Sequence, residues 1–334
     1  MRTVLLACCC LMLFGALTSF LCPAQAQTRD RLGFGLVATS APGAVRDRWQ
    51  PLLDDMAQAL GLTVQPTIYD DYAGVIWAMG NGDIQVACVG NKVAIEAVDR
   101  AGGEVAFKAV EADGRAGYNS LLLARADSGL RTVEDMFARA GELTYGDGDI
   151  NSTSGHVIPG HYLFAPRGLE PRTVFRRVVQ NNHEENFLGV AAGRLDVATG
   201  NSLNLATSTA RHPQAAAAVK VIWTSPLIPS DPLVWRADLE PARKAALRAF
   251  LLDYGRPGPD KAPERLNREQ AVLRGMARAG FQACDNSHLL PVRRMELVRQ
   301  RSRILADAAL PQAERLRRLA AIDKTLQALP EAVD

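Results

Sequence analysis

Apolar and polar positions along this chain alternate between two periods. A short apolar run over 31–38 reads as a strand, and 45–60 carries its apolar residues at helical spacing. A strand over 63–68 and a helix over 72–79 follow. Asp83-Ile84-Gln85-Val86-Ala87-Cys88-Val89-Gly90 then reads as a buried strand ending at a glycine. A helix over 92–101 leads to a strand over 105–111, which completes a run of βαβ units and predicts a mostly parallel sheet. The pattern then restarts. Strands are predicted over 118–125, 143–145, 175–179, 196–199 and 219–225, with helices over 132–140 and 184–192 and a helix-like segment over 156–164. A strand over 233–236 and a helix over 242–254 read as a return to the first unit. From about residue 262 the chain turns helical and charge-rich, ending in 312–329 with leucines and alanines at helical spacing.

The expected fold class is therefore α/β with two lobes, each a mostly parallel sheet flanked by helices, and a helical C-terminal tail. Residues 27–119 and 230–290 form lobe 1, 120–229 form lobe 2, and 291–334 form the tail. Two chain crossings between α/β lobes place a cleft at the strand ends, where open sheets take ligands. The tail is free either to pack on the lobes or to make a homodimer contact.

Composition narrows the setting. Arg2, an apolar stretch over 4–21 and Ala24-Gln25-Ala26 have the layout of an export signal occupying 1–26 and cleaved after Ala26. Four of the six cysteines leave with it, so Cys88 and Cys284 remain, either paired in an oxidising compartment or kept as small buried thiols. No Cys/His spacing suggests a metal, and no cofactor is implied. A formal net charge of +2 without a basic stripe argues against nucleic acid as a partner.

The most telling stretch is Gly146-Asp147-Gly148-Asp149-Ile150-Asn151-Ser152-Thr153-Ser154-Gly155. It joins an extended segment to a helix-like one through three consecutive hydroxyl residues. A helix N-terminus leaves its first N–H groups unpaired and partly positive, and short hydroxyls add donors aimed the same way. That combination suits an oxyanion. With no lysine in the turn and no G-x-x-x-x-G-K-[ST] loop, a nucleoside triphosphate is not the natural guest.

Several stretches in order resemble the phosphonate-binding component of an ABC importer, a type II periplasmic binding protein: Asp71-Tyr72-Ala73-Gly74, Glu96-Ala97-Val98-Asp99-Arg100, Asn151 to Gly155, His183-Glu184, Leu195-Asp196-Val197-Ala198-Thr199, Ser225-Pro226-Leu227-Ile228-Pro229 and Asp231-Pro232. The resemblance runs from about Leu32 to Tyr254 and more loosely into the tail. It implies a Venus-flytrap protein of the periplasm that closes on an organophosphonate and delivers it to an ABC permease in the inner membrane. By this resemblance Ser152, Thr153 and Ser154 hold the phosphonate oxygens together with Tyr72, Tyr118 and His183. Asp231 matches a carboxylate that meets the ammonium of 2-aminoethylphosphonate.

Two departures bear on specificity. Leu203 stands where a second carboxylate would meet that ammonium, and Cys88-Val89 stand where close relatives carry large aromatics. A buried charge needs close partners, so these changes predict a tail preference shifted toward bulkier or more apolar groups. Other readings are a binding protein for phosphite, phosphate or a sulfonate, and a hydrolase built on Ser152 or Ser154 with His183 and Asp231 or Asp196. The hydrolase lacks a G-x-S-x-G elbow. His156 reads as a structural or rim residue, and His161, His212 and His288 as surface or internally paired ones.

Overall fold

The strand of sequence nearest the amino end, β1 (Arg31–Val37), is buried at every position but its first, because it lies inside the sheet and apolar side chains pack on both of its faces. The computed structural model describes residues 30–330, so the segment read as an export signal lies outside the described residues. Beside β1 run β2 (Thr63–Tyr69) and β3 (Val86–Cys88), both parallel to it. The first sheet is completed by β4 (Gly103–Glu111) and by two strands that come from much later in the chain.

After β4 the chain passes through the short β5 (Gly117–Tyr118) into a second sheet made of β6 (Ser120–Arg125), β7 (Thr144–Asp147), β8 (Arg177–Gln180), β9 (Val197–Asn201) and β10 (Val219–Thr224), in the order β10-β6-β9-β7-β8. It returns through β11 (Ile228–Pro229), which pairs with β5, so the two crossings form one antiparallel ribbon between the lobes. The returning chain re-enters the first sheet as β12 (Pro232–Arg236), and β13 (Arg278–Ala283) closes it in the order β13-β4-β12-β3-β1-β2.

The expectation of mostly parallel sheets is met in strand direction but not in every ladder. β12 enters from the cleft end, where β1, β3 and β4 finish, and must run against β3 and β4. β13 likewise opposes β4. In the second sheet, β6 runs against both β9 and β10, while β7, β8 and β9 are parallel. Each sheet is thus mixed, with the ends of its parallel strands turned to the space between the lobes.

Separate apolar cores fix each sheet. Phe34, Trp49, Leu52, Met56, Phe107 and Trp235 pack on one face of the first. In the second lobe, Tyr145 stacks on Phe175 at 4.5 Å with Phe164 across its edge. A further cluster belongs to neither lobe alone. It joins Tyr72, Val75, Val89, Val93 and Leu289 of the first lobe to Val157 and Ile158 of the second and to Val292 of the tail.

The tail helix Leu290–Ala306 packs on both lobes through buried charge as well. Its Glu296 lies 3.6 Å from Lys92 of the first lobe and 2.9 Å from its own Arg299. Arg299 in turn contacts His156 of the second lobe, whose other ring nitrogen is 3.0 Å from Asp147. Burial opposes charge on Glu296, yet Arg299 and Lys92 hold its carboxyl below the usual range. The last helix, Gln312–Ala328, buries no residue and is tied to its predecessor by Arg301 to Asp323 at 2.8 Å.

The sequence reading misses β13, because a region read as uniformly helical contains a helix, Pro263–Gly275, followed by this edge strand. Met276-Ala277-Arg278-Ala279-Gly280 shows no alternation, and the turn into the strand uses Ala277 at φ 55 instead of a glycine. A left-handed non-glycine residue is strained by its Cβ. Replacing Ala277 with glycine should therefore stabilise the fold by about 1 kcal/mol, net of the added chain entropy, and raise the thermal midpoint in a calorimetric scan.

Candidate functional site

Ser152 is the N-cap of the helical segment that leaves β7, and its Oγ accepts from the Gly155 N–H at 3.0 Å. The first turns of that segment are π-helical, over Thr153–Val157 and Gly160–Phe164, with the Val157 N–H bonded to the Ser152 carbonyl at 3.1 Å. Such wide turns are uncommon and recur at functional sites. Close backbone approach makes the turn possible. The Gly148 N–H donates to the Gly155 carbonyl at 3.1 Å, and a Cβ on Gly155 would lie 2.7 Å from Ser152 Oγ and 3.1 Å from Gly148 Cα.

Each of the three hydroxyls already accepts a hydrogen bond from a fixed N–H. Ser152 accepts from Gly155, Thr153 from the Lys92 backbone N–H at 2.9 Å, and Ser154 from Asn201 Nδ2 at 3.1 Å. Asn201 is itself held as the cap of the helix Ser202–Arg211, accepting from the Asn204 N–H at 2.8 Å. A hydroxyl with an occupied lone pair keeps its proton to give. The turn is therefore a set of donors. The Lys92 bond also crosses from the first lobe to the second.

Facing this turn are two phenols and an imidazole. Tyr72 opens the helix Tyr72–Asn81, which Asp71 caps through the Gly74 N–H at 2.7 Å; its hydroxyl is 3.5 Å from Ser152 Oγ. Burial pushes the Tyr72 phenol up to about 12, and burial followed by the nearby Asp231 pushes Tyr118 well above its ordinary value. Both phenols stay neutral donors at neutral pH. His183 opens the helix Glu184 belongs to, but Asn182 makes the capping bond, to the Glu185 N–H at 2.9 Å, and so leaves the imidazole free for the cleft. His183 Nε2 lies 3.4 Å from Ser154 Oγ, and burial lowers its pKa to about 4, so the ring is neutral.

All ten residues singled out from sequence line one interlobe cavity of about 110 Å³: Tyr72, Tyr118, Ser152, Thr153, Ser154, His183 and Asp231, with Leu203, Cys88 and Val89. Burial raises the Asp231 carboxyl to about 6, with Arg278 pulling in the other direction. Sequence reasoning misses Glu111, Arg278, Arg48 and Asn201, which share the cavity wall. Only the cap position of Asn201, after a strand and before a helix, carried a readable signal. Glu111 and Arg278 add charge of both signs to the cavity wall, which the expectation of a bulkier or more apolar tail did not foresee.

Cys88 and Cys284 are free thiols, which decides between the two expectations for them; burial pushes the Cys88 thiol up to about 12. His156, His212 and His288 are engaged with Asp147, Glu184 and the Ser230 carbonyl respectively. His183 Nδ1 is buried without a hydrogen-bond partner, so neither Asp231 nor Asp196 orients it as a hydrolase would require. Asp196 instead accepts from the Thr144 N–H at 2.7 Å.

Known proteins resemble this chain over nearly its whole length. The sequence pattern of the family described as "ABC transporter, phosphonate, periplasmic substrate-binding protein" matches residues 34–289. The phosphonates-binding periplasmic protein of Escherichia coli (strain K12) is 37% identical over 315 residues, covering 94% of this chain and 90% of that one. A crystal structure of a binding protein component of an ABC phosphonate transporter from Pseudomonas aeruginosa superimposes with a TM-score of 0.84 at 40% identity, covering 90% of this chain and 97% of that one. A Prochlorococcus marinus (MIT 9301) protein solved in complex with methylphosphonate shares the fold, with a TM-score of 0.68 at 15% identity over 80% of this chain and 97% of its own.

The tight Gly155 contact gives a direct test of the donor set. Gly155→Ala should displace Ser152 Oγ and lower anion affinity by about tenfold or more, measured by titration calorimetry, while circular dichroism stays that of the folded protein.

Proposed function

This chain belongs to the periplasmic phosphonate-binding family of ABC transporters, and we propose that its interlobe cavity captures a phosphonate through Ser152, Thr153, Ser154, Tyr72, Tyr118 and His183. The observation that carries this reading is the set of three hydroxyls that each accept an N–H, from Gly155, Lys92 and Asn201, and keep a proton to give. A phosphonate spreads its negative charge over three oxygens and needs several donors. Neutral donors supply them without a fixed counter-charge that would slow release.

The protein acts as the substrate-binding component of the transporter: it closes on the ligand in the periplasm, after export and cleavage past Ala26, and hands it to the permease. No catalytic step is proposed. The unoriented His183 supports binding over hydrolysis. Binding of phosphite, phosphate or a sulfonate is the nearest competing use of the same donors. Asp231 favours a ligand with a substituent that reaches the first-lobe wall beside Cys88 and Val89, which with Leu203 of the second lobe set the shape available to the tail. A second copy of the chain docks through the helix Gln312–Ala328, whose Leu316 is 59% exposed.

Three measurements test these statements. In calorimetry on refolded, ligand-free protein, methylphosphonate should bind more tightly than phosphate, and Thr153→Val should weaken it by about tenfold, the effect of one lost hydrogen bond to a charged group. Phosphate binding at equal or greater strength would reject the phosphonate preference. Because Asp231 loses its charge as the pH falls through about 6, the ratio of 2-aminoethylphosphonate to methylphosphonate affinity should drop by about tenfold between pH 7 and 5, once each ligand's own phosphonate ionisation, which the ammonium makes more acidic, is corrected for. Sedimentation velocity should give a dimer that Leu316→Lys converts to a monomer.

A further inference from the structure

The proposed phosphonate cradle leaves one wall of the cavity without a task. Glu111 ends β4 and Arg278 opens β13, and the antiparallel register sets them opposite one another. Their closest approach is 3.9 Å, between Arg278 Nη1 and Glu111 Oε1, with the side chains only 10% and 2% exposed. Both carboxyl oxygens of Glu111, the Nη1 of Arg278 and the Oδ1 of Asp231 are buried without a hydrogen-bond partner. All three residues line the same cavity.

Unpaired buried polar atoms are rare, and charged ones are costly. A purely structural ion pair closes to bonding distance, as Glu269 does elsewhere in this protein with Lys261 at 2.8 Å and Arg265 at 2.7 Å. Glu111 and Arg278 stop short of that. The cluster offers three vacant acceptor atoms and one vacant donor, carrying charge of both signs, to one small space. The second lobe adds no carboxylate or guanidinium to this cavity wall; its lining residues there are neutral, among them Asn201, Leu203, Asn204 and Thr207.

We infer that Glu111, Asp231 and Arg278 form a tail subsite for a phosphonate whose tail carries both an ammonium and a carboxylate. The ammonium donates to Asp231 and Glu111, and the carboxylate accepts from Arg278. This assignment rests on the phosphonate reading of the hydroxyl turn. A tail with an ammonium alone meets two carboxylates but also a like charge on Arg278. A tail with a carboxylate alone meets Arg278, with Arg48 elsewhere on the cavity wall, but also two repelling acids. A plain alkyl tail leaves all four atoms unpaired. An amino-acid tail matches every charge with its opposite, and the small Cys88 and Val89 leave room for its extra branch.

The test is a calorimetric series on the refolded full-length mature protein. The ligands are methylphosphonate, 2-aminoethylphosphonate, 3-phosphonopropionate and 2-amino-3-phosphonopropionate. The last should bind at least tenfold more tightly than each of the others. Arg278→Gln should weaken it at least tenfold more than it weakens methylphosphonate, and Glu111→Gln should weaken 2-aminoethylphosphonate more than 3-phosphonopropionate. If methylphosphonate or 2-aminoethylphosphonate binds as tightly as the amino-acid ligand, the subsite is overturned and the hydroxyl cradle stands. If none of the four binds, the phosphonate reading itself falls and the subsite with it. Should a variant fail to fold, the ranking on the unaltered protein decides.

Discussion

A hydroxyl whose oxygen already accepts an N–H is oriented to give its own proton outward, and this arrangement organises the cleft. Ser152, Thr153 and Ser154 are satisfied as acceptors by three N–H groups from three different places: the next turn of the same helix, the start of a helix in the other lobe, and the cap residue of a third helix. Each of those sources is fixed by its own local chemistry. Gly155 must lack a side chain, Asn201 must cap Ser202–Arg211, and Lys92 must begin the helix Asn91–Arg100. The fold supplies these by bringing the ends of the parallel strands together, where helices start and N–H groups stand free. Because the Thr153 partner belongs to the first lobe, the donor set is complete only when the lobes are together.

The contacts behind the cradle act on the same geometry. Lys92 gives its backbone to Thr153 and its ammonium to Glu96 and Glu296, and the chain of charges runs on through Arg299 and His156 to Asp147, at the end of the strand that feeds the hydroxyl turn. The helix Leu290–Ala306 thus touches both lobes at the back of the cleft, where charge and the shared apolar cluster of Val157, Ile158 and Val292 work together. Separation of the lobes has to break these contacts or carry the helix along with one side.

Much of this was readable from the chain. The helix–strand alternation, the two crossings and the hydroxyl turn are local patterns, and the ten residues picked out by motif converge on a single cavity. The misses share a physical cause. Glu111 and Arg278 lie far apart in sequence and meet only through the β4–β13 ladder, whose second strand has neither alternation nor a glycine at its entry turn. His183 stands one residue after Asn182, a position that serves capping and ligand contact alike; the structure gives the capping to Asn182. The direction of β12 followed from the crossing itself, a property of the path rather than of any residue.

Cys88 lines the cavity as a fully protonated, buried thiol, the one sulfhydryl among its walls. With the lobes together only 8% of Cys88 meets solvent, and the thiolate that would react is scarce. Its rate of alkylation therefore counts the moments when the cleft stands open. A guest that keeps the lobes shut slows that count, so the protein carries, in a single atom of sulfur, a built-in clock for its own breathing.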